Sequence, residues 1–345
     1  MEDDGLVLVT GGSGYIATFC IADLLKKGYR VRTTVRSRER VQEVRRNVAS
    51  LVGGSADGLD FATADLMKDD GWAGALKGSS SVLHVASPFP STNPKSDDEL
   101  VKPARDGALR VLTAARNAGA KRVVMTSSIG AIAYGHGGRT IPFTEADWTD
   151  ATNLNDSSAY ERSKTIAERS AWDWIHREGG GLELVALNPG VVLGPLVGND
   201  HSSSIDIVKK LLEGKLPGIP RFGWPLVDVR DIVDLHVRAM TAPQAAGQRY
   251  IGAGPFCWMS DVANILRERV PQLAKRTPRR TLPDWLIRIT ARLDPIAADR
   301  LYELGAYRPV SAEKAKTELG WSPRPIEETI VATAESLAKE QLAYA

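Results

Sequence analysis

Tyr160 and Lys164, four residues apart, are the most chemically suggestive pair in this 345-residue chain. On a helix that spacing puts both side chains on one face. A phenol has an ordinary pKa near 10 and exchanges protons poorly at neutral pH. A neighbouring ammonium stabilises the phenolate and is expected to lower that value. The YxxxK pattern is common by chance, so its weight depends on its company. Upstream, Val123-Val124-Met125-Thr126-Ser127-Ser128 reads as a strand ending in hydroxyls, and active residues of open parallel sheets gather at strand carboxyl ends. A serine there can hydrogen-bond a carbonyl oxygen and hold it against Tyr160. Ser128, with Ser127 as the other choice, Tyr160 and Lys164 therefore form a candidate set for proton transfer to a carbonyl.

A second signal lies at the chain start, where the apolar run Leu6–Thr10 passes into Gly11-Gly12-Ser13-Gly14-Tyr15-Ile16-Ala17. Glycines between a first strand and a first helix allow a tight turn and close backbone approach to a pyrophosphate, which then rests on the helix N-terminus. The spacing is T-G-x-x-G-x-x-A, with Ala17 at the close helix–strand contact. Dinucleotide sites selective for NAD place a carboxylate about 20 residues further on, to hold the ribose 2′-hydroxyl. Here the second strand ends Thr33-Thr34-Val35-Arg36 with no acid. A guanidinium grips a 2′-phosphate that a carboxylate would repel. The expected cofactor is thus NADP(H), although Arg38, Arg40, Arg45 and Arg46 would also make Arg36 part of a plain solvated basic face.

These groups need a scaffold. Strand-like runs at 6–10, 30–36, 59–63, 82–86, 122–126 and 182–188 alternate with helical patterns over 15–27, 37–51, 100–115 and 157–179. Pro103 must sit in the first turn of its helix or kink it. This order predicts an α/β fold, a Rossmann-type doubly wound parallel sheet with helices on both faces. Beyond Pro189 the pattern is less regular. Residues 1–188 are expected to form the NADP-binding domain, with the sheet completed by about 226–252. Residues 189–225 and 253–345 are expected to form a smaller, discontinuous substrate-binding lobe.

Composition narrows the function classes. Lys plus Arg number 44 against 42 for Asp plus Glu, a net charge of +2, so the basic excess of a nucleic-acid binder is missing. No apolar run approaches a membrane span, and the acidic opening Met1-Glu2-Asp3-Asp4 is unlike a signal peptide. A soluble cytoplasmic protein is expected, without nucleic-acid or membrane partners, as monomer or homodimer. Two cysteines and five scattered histidines offer neither a disulfide framework nor a metal spacing.

With these segments in place, the chain resembles the extended short-chain dehydrogenases/reductases. It is most similar to the group of dihydroflavonol 4-reductase, cinnamoyl-CoA reductase and the yeast-type aldehyde and methylglyoxal reductases. TGGSGYIA, GYRVRTTVR, HVASPF at 84–89, KPARDG at 102–107, YERSK at 160–164 and LNPGVVLGP at 187–195 carry the resemblance. The resemblance implies Ser128, Tyr160 and Lys164 as the catalytic set. It implies cofactor contacts at Gly11, Gly14, Tyr15 and Ile16, and at Arg36 for the 2′-phosphate. Asp65 and Leu66 would contact adenine, and Val85, Ala86 and Ser87 the ribose and pyrophosphate. Thr126, Tyr160 and Lys164 join them, with Pro189 and Val192 beside the nicotinamide. Phe89, Tyr134, Phe222 and Trp224 are aromatic candidates for a substrate pocket. Flavonol reductases carry an asparagine where this chain has Ala133, which weighs against a flavonoid substrate. The expected activity is reversible NADPH-dependent reduction of an aldehyde or ketone. A 3β-hydroxysteroid-type dehydrogenase, a nucleotide-sugar epimerase or dehydratase, and a non-enzymatic cofactor sensor are the alternatives.

Overall fold

A computed structural model describes residues 5–87, 96–198, 204–292, 298 and 300–343. Its first half alternates β1 (Leu6–Val9), α1 (Tyr15–Lys26), β2 (Val31–Val35), α2 (Val41–Val52), β3 (Asp60–Thr63), α3 (Trp72–Leu76), β4 (Ser79–His84), α4 (Asp98–Asn117) and β5 (Arg122–Thr126). Then follow α5 (Ala159–Glu178), β6 (Glu183–Pro189), β7 (Val191–Leu193), α6 (Ile205–Glu213), β8 (Gly223–Asp228), α7 (Val229–Thr241), β9 (Arg249–Gly252), β10 (Phe256–Trp258), α8 (Met259–Arg269) and α9 (Asp284–Thr290). Two helices close the order, α10 (Glu313–Leu319) and α11 (Ile326–Ala343).

Seven strands form one parallel sheet in the order β3-β2-β1-β4-β5-β6-β9. The central strands are buried on both faces, and β1 is apolar throughout for that reason. Alternate residues serve opposite layers: Val7, Val9, Leu83 and Val124 pack with α1, α2 and α7. Their neighbours Leu8, Val82 and Val123 pack with α3, α4 and α5. The strand order reverses between β1 and β4, and a crevice opens beyond the carboxyl ends at such a point. The glycine turn after β1 and residues 85–87 after β4 flank that crevice.

A three-stranded sheet, β10-β8-β7, stands apart. Leu193, Leu226, Ile205, Val208, Met259, Leu266 and Ile330 give it a core of its own with α6, α8 and α11. Within 226–252 the assignments divide. Arg249–Gly252 pairs with β6 in the large sheet, whereas Gly223–Asp228 belongs to the small one. Residues 229–241, which the sequence left open as a return to the sheet, are a helix lying on its face. Asp228 starts that helix by accepting from the Arg230 N–H at 2.8 Å. Pro103 sits in the second turn of α4 rather than the first; it removes one backbone donor there and the helix continues on both sides.

Candidate active site

The turn after β1 is shaped by contacts that only glycine permits. Gly11 has φ +71°, and a Cβ there would lie 2.9 Å from Cβ of Ala86. At Gly12 it would lie 2.3 Å from Oγ1 of Thr33. The Gly11 N–H donates to Thr34 Oγ1 at 2.9 Å, and Thr18 Oγ1 donates back to the Gly12 carbonyl at 3.0 Å. Gly14 caps α1 without any side chain, so the first-turn N–H groups of Tyr15 and Ile16 face outward, as an anion requires. The Tyr15 hydroxyl donates to the Pro195 carbonyl at 3.0 Å and ties this turn to the segment after β7.

Thr10 Oγ1 accepts from the Ala86 N–H at 3.0 Å and lies 3.0 Å from His84 Nδ1. Burial, and after it the charge of Lys164, push His84 down to about 3, so it is neutral. Arg36 stands exposed at the end of β2. Asp65 lies one strand further out, where its carboxylate accepts from the Met67 N–H at 3.0 Å and its carbonyl from Trp72 Nε1 at 3.0 Å. Its side chain thus shapes the turn after β3. Leu66, Ala86, Ser87, Thr126 and Lys164 line one small cavity between β4, β5, α4 and α5.

The residues expected to handle the proton meet at the start of α5. Ser158 caps the helix, with its N–H and hydroxyl donating to Glu161 at 2.8 and 2.5 Å, and its Oγ accepting from the Tyr160 N–H at 3.2 Å. This fixes the first turn, on which Tyr160 stands. The Tyr160 phenol faces the Ser128 hydroxyl, and Ser128 Oγ accepts from the Gly130 N–H at 3.0 Å. Lys164 Nζ lies 5.9 Å from the centre of the Tyr160 ring and donates to Ser87 Oγ at 3.2 Å.

Ionisation here differs from the expectation that Lys164 lowers the phenol. Burial prevails and raises Tyr160; the Ser128 hydrogen bond pulls it down, Glu161 pushes it up and Arg300 pulls it down. Lys164 itself is brought down to about 8 by burial, with Glu168 acting the other way.

The two serines separate cleanly. Ser127 Oγ donates to the buried Glu168 carboxylate at 2.5 Å, whereas Ser128 is the serine that faces the phenol. The Thr126 hydroxyl is 2.7 Å from His236 Nε2, whose Nδ1 donates to the Ile232 carbonyl at 2.7 Å. That hydroxyl is therefore engaged inside the sheet–helix layer. Pro189 ends β6, and Val192 is packed in the core beside Val227.

Side chains from residues 300–303, for which the irregular sequence gave no signal, reach the same end of α5. The Tyr302 hydroxyl donates to Glu161 at 3.2 Å. Buried Glu303 accepts from Trp224 Nε1 at 3.1 Å, with the Tyr134 hydroxyl 3.5 Å away and Arg300 Nη1 at 3.5 Å. Tyr134 and Trp224 thus share one carboxylate near Tyr160. Phe222 lies 6.2 Å from Trp224, ring centre to ring centre. Phe89 lies outside the described residues.

The doubly wound sheet, the glycine turn at its switch point and the Ser128–Tyr160–Lys164 group define a Rossmann-type α/β protein built around a dinucleotide crevice. The chain belongs to the NAD dependent epimerase/dehydratase family, whose model matches residues 7–252. It is 34% identical to the cinnamoyl-CoA reductase CAD2 of Medicago truncatula over 98% of this chain and 97% of that protein. Similarity to the putative NADPH-dependent methylglyoxal reductase GRP2 of Candida albicans is 31% identity, over 81% of this chain and 87% of that one. Among solved structures, yeast methylglyoxal/isovaleraldehyde reductase Gre2 complexed with NADPH superposes with a TM-score of 0.79. It shows 26% identity over 97% of this chain and 99% of that chain.

Proposed function

We propose that the protein is an NADPH-dependent reductase that converts an aldehyde or ketone to an alcohol, reversibly. The observation that carries this reading is the placing of Lys164 Nζ 5.9 Å from the centre of the Tyr160 ring, with Ser128 beside the phenol, at the carboxyl ends of the strands. The reductase names of the similar proteins support it. The residues present suit NADP(H): a turn in which added Cβ atoms would clash, an uncapped helix end for the pyrophosphate, and exposed Arg36 at the end of a strand that carries no acid, for the 2′-phosphate. Asp65 and Leu66 are assigned to the adenine end. Val85, Ala86, Ser87 and Lys164 are assigned to the ribose and pyrophosphate, and Pro189 and Val192 to the nicotinamide end.

NADPH, when bound, supplies the hydride. Ser128 and Tyr160 each donate a hydrogen bond to the carbonyl oxygen and orient it. As that oxygen gains negative charge, Tyr160 passes its proton to it. A phenol raised by burial keeps its proton through neutral pH, which suits an acid waiting for substrate. The phenolate left behind faces the Ser128 hydroxyl and the ammonium of Lys164. The same reading gives residues 189–225 and 253–345 to the substrate, with Tyr134, Trp224 and Glu303 among its walls. NADPH consumption, followed by its near-ultraviolet absorbance against a panel of aldehydes and ketones, tests the proposal. Turnover of at least one carbonyl is expected; NADPH binding without turnover of any would overturn it.

A further inference from the structure

Directly behind the Ser128–Tyr160–Lys164 group lies a carboxylate with no solvent exposure. Glu168 is one helical turn beyond Lys164 on α5 and accepts hydrogen bonds from four directions. Ser127 Oγ reaches it from the end of β5 at 2.5 Å, Asn188 Nδ2 from the end of β6 at 2.8 Å, and Arg249 Nε from β9 at 2.6 Å. Trp172 Nε1 reaches it from its own helix at 3.3 Å. Asn188 Nδ2 also donates to the carbonyl of Ser128 at 3.0 Å. One carboxylate therefore joins the backbone of the serine to the helix that carries the tyrosine and the lysine.

We propose that Glu168 is a positioning residue, which locks the Ser128 strand end and the Tyr160–Lys164 helix into one frame and supplies the negative charge that Lys164 faces. This rests on the roles given above to Ser128, Tyr160 and Lys164. A neutral polar residue satisfies fewer of these bonds. Four donors converge, one of them a guanidinium, and only an ionised carboxylate accepts from all of them. Arg249 is held in turn by the carbonyls of Glu145 and Asp147 at 2.7 and 2.9 Å, and stacks 3.6 Å from the centre of the Trp148 ring. It cannot swing away to leave Glu168 unpaired.

Charges around Lys164 show why this matters. From β4 it faces neutral His84, and Ser87 lies just beyond that strand; from α5 it faces the Tyr160 ring and Glu168. Of these, Glu168 is the anion, and it opposes the burial that brings Lys164 down to about 8. Removing its charge must lower Lys164 further.

The test labels Lys164 with acetic anhydride across a pH series and quantifies the modified peptide by mass spectrometry, a readout that needs no turnover. Breaking a buried ion pair by removing one partner is strongly destabilising, whereas replacing both partners is tolerated better. The variants are therefore Glu168→Gln, Glu168→Asp and the double change Glu168→Gln with Arg249→Met. In the Gln variants the labelling midpoint is expected to fall by about one pH unit or more, the scale of a nearby opposite charge. In Glu168→Asp the midpoint stays, while kcat for carbonyl reduction falls about tenfold because the shorter side chain loses its reach. The double variant also loses kcat about tenfold, with NADPH affinity retained. A midpoint that does not move in the folded double variant overturns the proposal, as does an unchanged kcat there. So does an Asp midpoint that falls as far as the Gln one. If the unaltered protein reduces no carbonyl, the reductase reading fails and the labelling series alone decides the role of Glu168.

Discussion

Replacing Lys164 by methionine should abolish reductase activity and make the fold more stable at neutral pH. Lys164 is 9% exposed, and burial brings its ammonium from the ordinary 10.5 to about 8. At about 1.4 kcal/mol per pKa unit, holding this amine charged costs the folded state about 3 kcal/mol near pH 7. Methionine has a similar length and no charge. It forfeits the hydrogen bond to Ser87, a loss of about 1 kcal/mol, and leaves Glu168 still paired with Arg249 at 2.6 Å. A net gain of roughly 2 kcal/mol follows.

The pH dependence separates this cause from better packing. Between pH about 8 and 10.5 the unfolded chain binds more protons at this lysine than the folded one, so the stability of the unaltered protein rises with pH. The methionine variant lacks that term. Its advantage should be full below pH 8 and shrink through 10.5. Urea unfolding of both proteins at a series of pH values from 7 to about 10 measures the difference directly, since all other titrations cancel. An advantage that is constant across the series, or a variant less stable at pH 7, would refute the reasoning that burial of a charged lysine is the dominant cost.

Four further outcomes follow from the same geometry. Tyr160→Phe should lower kcat by about 10²–10⁴, the usual worth of a positioned general acid, while isothermal titration shows NADPH affinity largely retained. Ser128→Ala should cost about 10²–10³ in kcat, as for an oxyanion donor, whereas Ser127→Ala, whose hydroxyl points to Glu168, should cost far less; steady-state kinetics on both distinguishes the two serines. Arg36→Asp should raise KM for NADPH by about 10–100-fold, the loss of a charge-assisted bond of roughly 1.5–3 kcal/mol, and leave KM for NADH level or lower; equal preference before and after would remove Arg36 from the site. The rate of carbonyl reduction should fall as pH rises through about 8, where Lys164 loses its proton, and His84, already neutral down to about 3, should add no limb between pH 4 and 7 in a kcat/KM profile.

How much of this is legible before folding depends on whether a residue's meaning is local. The glycine turn is local: Gly11 and Gly12 are required by neighbours that the strand register itself supplies, Ala86 and Thr33, so spacing alone points to it. Tyr160 and Lys164 are local in the same sense, since one helix sets their separation. The parallel sheet was legible because short strand-like runs, of which Leu6–Val9 is wholly apolar, alternate with helical patterns along the first half of the chain. The charge states were not. An ammonium beside a phenol suggests a lowered phenol, yet burial outweighs it and raises Tyr160; desolvation is a property of the packed layers, which no spacing encodes. The same holds for Glu168. In sequence it is one more helical glutamate, and its role depends on Ser127, Asn188 and Arg249, which arrive from three strands up to 81 positions away. Tyr302 likewise reaches α5 from an irregular stretch more than a hundred residues on. Sequence therefore exposes the groups that act on the reacting atoms, because chemistry fixes their types and a single element fixes their spacing. It conceals the groups that tune them, because a buried carboxylate acquires its function only when separate strands converge on it.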